Sequence, residues 1–286
     1  MATVGGKPEI LHNIWDRAEE NLTREELKSK FLLATHNMGR TVLHATAKWG
    51  NVEILQKLQE WARVKLTTEE VNKLFLSTDR EIITAWHVAA KDGQLKLLDE
   101  IWDLEEEIIS KLLLATDNNG RTVLYLAAEG YETWILQKIL ELAKEKLLNE
   151  EVNKLLLATD NKGMTAWQVA AAWGQPELLK KIWDLAEENP TIEEINKKLL
   201  FATDDMGRTV LHVTARAYKP QILEEILKWA KEKLTSQEVN KFILATDDQG
   251  RTVFHLAAKT NKLKILQEIL KWAKEKITTE EIKKIM

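Results

Sequence analysis

The sequence predicts an all-α solenoid, a stack of helical repeats, from three observations. A phrase of the form Thr-Asp-x-x-Gly-Arg-Thr-Val-Leu-His recurs at near-regular spacing, clearly from Thr116, Thr203 and Thr246 and in degraded form from Thr35, Thr78 and Thr159. Between its copies, apolar residues return at intervals of three and four, which marks a buried helical face. Helix-start signals of the form Thr-x-x-Glu recur with the same period. Such a unit can hide its apolar face only by stacking on a neighbour.

The full copies run 34–76, 77–114, 115–157, 158–201, 202–244 and 245–286, after a partial copy at 9–33, and are expected to form one repeat domain over 1–286. Each opens with a turn such as Asp117-Asn118-Asn119-Gly120, whose glycine supplies the positive φ that a tight turn needs. A short first helix follows, as over 122–128, where Ala127 and Ala128 let neighbouring helices approach closely. The second helix is longer, with Ile135, Leu136, Ile139, Leu140, Leu142 and Ala143 on one face. A third helix has its own start signal. Thr23–Glu26, Thr67–Glu70, Thr191–Glu194, Thr235–Glu238 and Thr278–Glu281 are capping boxes, in which threonine and glutamate satisfy each other's free amides. It ends in an apolar run such as Leu155-Leu156-Leu157. The copy at 77–114 lacks about five residues and its box, reading Leu104-Glu105-Glu106-Glu107-Ile108-Ile109-Ser110, so its second and third helices are expected to abut or merge. In the copy at 158–201, Pro190 stands just before the box, where a helix begins.

The run of a turn, then Gly-x-Thr-x-x-His-x-Ala-Ala-x-x-Gly, then a leucine-rich second helix resembles the ankyrin repeat. The family's Thr-Pro-Leu-His reads here as Thr41-Val42-Leu43-His44, Thr84-Ala85-Trp86-His87, Thr209-Val210-Leu211-His212 and Thr252-Val253-Phe254-His255. The resemblance covers nearly all of 9–286. The family's proline is missing from every copy, and Tyr125 and Gln168 replace histidine. Most copies also run about ten residues beyond the ordinary ankyrin unit, the excess being the third helix. These departures bear on curvature and twist. The resemblance implies a non-catalytic platform that binds other proteins, a class that includes engineered binders. It also implies that turns and first-helix ends share a concave side.

Composition agrees. Lys and Arg number 41 against 45 Asp and Glu in 286 residues, a net charge of −4 without blocks of like charge, so no nucleic-acid arm is expected. The absence of cysteine removes disulfides, thiolate metal sites and thiol nucleophiles. That suits the cytoplasm, or a chain designed to avoid thiol chemistry. The first residues lack the apolar core of a signal peptide and no run is long enough to cross a bilayer, so a soluble protein is expected.

His44, His87, His212 and His255 form a ladder, one per copy, but Tyr125 and Gln168 share its slot. The common property is hydrogen bonding, so these residues are expected to tie adjacent turns rather than hold a metal. Losing one should cost roughly 1–3 kcal/mol if its partners stay buried. His12 and His36 stand apart from the ladder. Arg40, Arg121, Arg208 and Arg251 follow the turn glycine, and an acidic residue a few positions earlier in most copies offers each a partner across the turn. No activated nucleophile with a base and an orienting group is present, so no enzyme, cofactor or metal is expected.

Trp86 and Trp167 take a first-helix slot otherwise held by leucine or phenylalanine and are expected in the core, as are the recurring Trp15, Trp61, Trp102, Trp183, Trp229 and Trp272. Trp49, Trp134 and Trp173 fall instead in the stretch that varies between copies: first-helix end, following turn and second-helix start. There the expected glycine survives as Gly50, Gly93 and Gly174 but becomes Tyr131, Tyr218 and Asn261 elsewhere, at a cost to the turn. The turn tips vary too, through Met38 and Met206, through Met164 in an arginine slot, and through Ile82 and Ile83 where Gly-Arg normally closes the turn. Large aromatics dominate binding hot spots. The expected partner-binding strip is therefore Met38, Lys48, Trp49, Ile82, Ile83, Asp92, Tyr131, Trp134, Met164, Trp173, Met206 and Tyr218. A near-constant framework beside variable tips points to an engineered or selected binder, monomeric when unbound. Framework drift, as between Leu58–Trp61 and Ile139–Leu142, keeps a natural cytosolic scaffold as the alternative. A repeat protein without a partner is the third reading.

Overall fold

The structure, a computed structural model, describes residues 8–100, 104–130, 133–188, 195–217, 219–259 and 263–276. It divides into two compact units, one ending at Leu155 and one beginning at Leu156. Tyr131, Tyr218, Asn261, Pro190, Trp102, and the expected boxes at 191–194 and 278–281 lie outside the described residues, as do the side chains of His12, Trp15 and Trp272.

The first unit opens with α1 (Pro8–Asn21) and α2 (Arg24–Leu27), which runs on into a π-helical turn at Lys28–Leu32. Each later copy up to residue 244 gives a short first helix, then a second and a third: α3 (Val42–Trp49), α4 (Val52–Lys65) and α5 (Thr68–Phe75); α6 (Ala85–Lys91), α7 (Leu95–Asp99) and α8 (Glu106–Leu114). The following copy supplies α9 (Val123–Glu129), α10 (Thr133–Lys146) and α11 (Asn149–Leu157), within which the unit boundary falls. The second unit continues with α12 (Ala166–Trp173), α13 (Pro176–Glu188), α14 (Ile195–Phe201), α15 (Val210–Ala217), α16 (Pro220–Lys233), α17 (Ser236–Ile243), α18 (Val253–Lys259) and α19 (Leu263–Lys276). First helices stack on first helices, α3 on α6 on α9 in one unit and α12 on α15 on α18 in the other. Among the described residues, no helix is long and apolar enough to cross a membrane.

Capping fixes where helices begin. At α5 the Thr67 amide donates to Glu70 Oε2 at 3.0 Å, and the Glu70 amide donates back to Thr67 Oγ1 at 3.3 Å. Thr23 and Glu26 do the same before α2, and Thr235 and Glu238 before α17. The box glutamates also receive donors from the preceding copy. Lys28 reaches Glu70, Ser110 Oγ lies 2.5 Å from Glu151 Oε1, and Lys197 Nζ lies 2.9 Å from Glu238 Oε1. One carboxylate therefore both caps its own helix and ties it to its neighbour.

The shortened copy does not merge its helices. Glu105 is extended, at φ −61° and ψ 142°, and α8 starts afresh after it with no side-chain cap. Without threonine and with Ile108 at the box position, no side chain caps α8, and the Ile108 amide donates instead to the Glu105 carbonyl at 3.0 Å.

The core repeats with the helices. Trp86 and Trp167 are buried, as the leucine-like slot requires, and so are Trp183 and Trp229, while Trp61 is half-buried against the edge of Phe31. Phe75 stacks on Trp86 with ring centres 6.2 Å apart, and in the second unit Trp183 stacks on Trp229 at 4.9 Å.

Candidate protein-binding strip

Every turn is built round one acceptor. Asp117 Oδ1 accepts the amides of Asn119 and Arg121 at 2.9 Å, its Oδ2 takes the Arg121 guanidinium at 2.7 Å, and Gly120 follows in the left-handed region at φ 75°. Asp204 with Arg208 and Asp247 with Arg251 repeat the arrangement. Arg121, Arg208 and Arg251 are thus engaged within their own turns. Burial works to raise the pKa of Asp117 and Asp247, but the paired arginine and the turn amides outweigh it and hold both below the ordinary carboxylate range.

The first two turns break the pattern in a complementary way. His36 stands where aspartate is usual, accepting the Met38 amide on Nδ1 at 2.9 Å, so Arg40 has no carboxylate in its own turn. Asp79 holds the amides of Glu81 and Ile83, but Ile83 occupies its arginine slot. Arg40 therefore crosses to Asp79, Nε to Oδ2 at 2.9 Å, and the ion pair joins two copies instead of closing one turn.

Successive tips are joined by backbone bonds. In the first unit Arg80 N–H donates to Met38 O and Asn118 N–H to Glu81 O; in the second, Asp205 N–H donates to Lys162 O and Asp248 N–H to Met206 O. This brings neighbouring turns close enough to exclude side chains. A methyl group built on Gly163 would lie 2.9 Å from the Asp205 amide nitrogen, and one on Gly207 would lie 2.5 Å from Asp248 Oδ1. Ile82 fills this glycine slot in its copy. At φ 57° it is the non-glycine residue with positive φ among the described residues, and it is 51% exposed. A β-branched residue there is a genuine outlier, costing about 1–3 kcal/mol.

The histidine ladder bridges the turns from beneath. His44 Nδ1 accepts the Thr41 amide at 3.2 Å while Nε2 donates to Ile83 O at 2.8 Å. His87 reaches Ala115 O and His212 reaches Arg251 O, and Gln168 does the same work through Ala202 O at 2.9 Å. Each ladder residue is also the third-position partner in its own helix cap, a role the Thr-x-x-His spacing carried but the bridging reading overlooked. Burial pushes the pKa of His44, His87 and His212 below the ordinary histidine value. In His44, His87 and His212 both ring nitrogens are engaged, and no group of three or more ligating side chains occurs among the described residues.

Of the expected strip, Met38, Trp49, Ile82, Trp134, Trp173 and Met206 are between 42 and 62% exposed. Lys48 and Asp92 are exposed at the ends of α3 and α6, with Lys48 Nζ 5.9 Å from the Trp49 ring centre. Ile83 and Met164, both in arginine slots, are half-buried. Gly50 and Gly174 take positive φ at the first-helix ends, leaving the indoles of Trp49 and Trp173 as the last helical side chains. Leu263, 63% exposed at the start of α19, lies in the variable stretch and belongs with these residues, although its aliphatic side chain did not stand out beside the aromatics.

No family model matches the sequence. No curated protein matches it either. Its fold is similar to many solved chains, among them the crystal structure of the ankyrin repeat domain of Bcl-3, described as a unique member of the IkappaB protein family. That likeness covers 82% of this chain and 86% of the other, with a TM-score of 0.56 at 18% identity. The chain has an ankyrin-repeat fold.

Proposed function

We propose that this chain is a non-catalytic platform that recognises a partner protein through its turn tips and first-helix ends. The observation that carries the reading is Ile82. Glycine at its position would relieve the backbone, yet a large apolar side chain stands there, exposed. Strain of this kind is retained where a surface is selected for something other than stability. Exposed Met38 and Met206 stand one position before the glycine slot of their own turns and Trp49 and Trp173 end their first helices, where the indoles offer contact area at low entropic cost. Selection of the strip for one partner, including selection by design, accounts for a constant framework beside variable tips. The natural-scaffold reading draws on Leu148, which has replaced the cap threonine of α11 and stands 73% exposed with only half of the box left.

The test is differential capture. The parent and a variant carrying Met38→Ser, Trp49→Ala, Ile82→Gly and Trp173→Ala are immobilised side by side, after circular dichroism has established that both are equally helical. A protein retained by the parent and lost from the variant supports the strip, and its affinity is then measured with purified material. Equal recovery by both removes the strip from consideration.

A further inference from the structure

Five of the described turns are clamped by an aspartate and a sixth by a histidine. Asp79, Asp117, Asp160, Asp204 and Asp247 each accept two turn amides on one carboxylate oxygen. In the turn at 36–40 the same slot holds His36, which is exposed and accepts only the Met38 amide, on Nδ1. The backbone of that turn is otherwise ordinary. The His36 amide donates to Arg40 O at 3.1 Å and the Gly39 amide to His36 O at 2.8 Å. A neutral imidazole has a single acceptor nitrogen, so the clamp requires the tautomer with its hydrogen on Nε2.

The exchange changes how the tip answers to acid. Between about pH 5 and 8 a carboxylate keeps its acceptor oxygens, whereas histidine is the side chain that takes up a proton. An imidazolium donates from both nitrogens. Nδ1–H then points at the Met38 N–H, and an acceptor has become a second donor. Neighbouring charges do not replace the lost bond. Arg40, in the same turn, is a cation, and Asp79 of the next turn is already held by Arg40 and by the amides of Glu81 and Ile83. Arg80 and Glu81 follow Asp79 and are exposed. In α3, burial chiefly, with the charges of Arg40 and His36 in addition, opposes protonation of His44. Lys28 and Lys30, in the preceding π-helical turn, are engaged with Glu70 and Glu26.

We propose that His36 is a proton switch in the turn at 36–40: neutral, it holds Met38 in the ladder of tips, and protonated, it releases it. The released element is a joint between copies, because Met38 O accepts the Arg80 amide at 3.0 Å, two residues before the strained Ile82. The turns clamped by aspartate stay closed over the same range. Met38 and Ile82 belong to the proposed strip, so weaker partner retention in mild acid rests on that reading. The switch itself does not, and it is measured on the chain alone.

The test is nuclear magnetic resonance of the isotopically labelled full chain, without a partner, from about pH 8 to about pH 5. A scalar coupling between the Met38 amide nitrogen and His36 Nδ1, which only an intact hydrogen bond transmits, is expected at the alkaline end and should be lost at the acid end. The Arg80 amide should shift with the same midpoint as the His36 ring, and the Asn119 amide, clamped by Asp117, should not follow that midpoint. His36→Asp, which restores the usual clamp, should hold the Arg80 amide steady over this range. His44 supplies the control, since its Nδ1 accepts the Thr41 amide and that amide reports on its ring. An Arg80 response that tracks Thr41 instead of the His36 ring puts the switch in the histidine ladder and overturns the proposal. So does a coupling that survives in acid, a coupling missing at the alkaline end, or an Arg80 response that persists in His36→Asp.

Discussion

The turns at Asp79–Ile83 and Asp204–Arg208 share one scaffold and differ in what it carries. In both, an aspartate Oδ1 accepts two amides and the fourth residue takes positive φ. At Asp204 that residue is glycine and the arginine closes back on the same carboxylate. At Asp79 it is Ile82, and the arginine comes from the preceding turn. The aspartate clamp is thus strong enough to hold an unfavourable residue in place, which frees the tip sequence to vary. Exchanging residues between the two turns breaks the comparison most severely. Gly207→Ile would set a branched side chain at φ 69° with its Cβ 3.0 Å from the Asp248 amide nitrogen and closer still to its carboxylate. A loss of about 3 kcal/mol in stability is expected, read from chemical denaturation. A loss below about 1 kcal/mol would mean that the ladder yields easily and that Ile82 signals nothing.

Next in size is the displaced ion pair. The Asp79 side chain is only 2% exposed and Arg40 32%. Arg40→Ala leaves that carboxylate with its amides but no counter-charge, a cost of about 1.5–3 kcal/mol. A double-mutant cycle with Asp79→Asn isolates the coupling between the two copies; additivity would show that the pair is incidental. The pH dependence has a definite sign. Burial works to raise the pKa of Asp79, while Arg40 and the amides of Ile83 and Glu81 prevail and hold it below the unfolded value. Its contribution is therefore present above the unfolded carboxylate pKa of about 4 and is lost as pH falls through the folded value. Arg40→Ala should move acid unfolding to higher pH.

The reverse exchange is smaller and opposite. Ile82→Gly should stabilise the chain by about 1 kcal/mol while weakening any partner that the strip holds. Destabilisation would show that Ile82 packs well enough to offset its backbone conformation. That Ile82 occupies a glycine slot was legible once the copies were set in register, because the aspartate and threonine on either side fix the count. The Arg40–Asp79 crossing was not, since it follows from two separate losses, His36 and Ile83, that become related only when the turns lie side by side. The gap beside α8 was half legible. Missing residues were visible, but the extended backbone at Glu105 was not, because a shortfall in length does not say whether two helices merge or break. The aromatic tips at Trp49, Trp134 and Trp173 were read from variation alone, and their exposure follows from the helix ends at which they sit.

The smallest effect compares His87 with Gln168, which hold the same slot. Gln168 accepts the Thr165 amide and donates to Ala202 O, both at 2.9 Å, as His87 does with Thr84 and Ala115. Only the histidine can take up a proton, and its cap nitrogen already faces an amide N–H. Burial depresses its pKa, opposed by the Ala115 carbonyl, the charge of Asp117 and the Arg121 carbonyl, while the Arg121 charge adds to the depression. A depressed histidine pKa means that the unfolded chain binds more protons below about pH 6.5. The contribution of neutral His87 is then complete above that pH and declines as pH falls toward the folded value. The slope is at most about 1.4 kcal/mol per pH unit for each such histidine. His87→Gln should accordingly change stability little at about pH 8 and flatten the decline toward about pH 5, in denaturant midpoints measured across that range. An unchanged slope would place the acid sensitivity in the turn carboxylates, whereas a large loss at the higher pH would mean that glutamine cannot reach both partners in this copy.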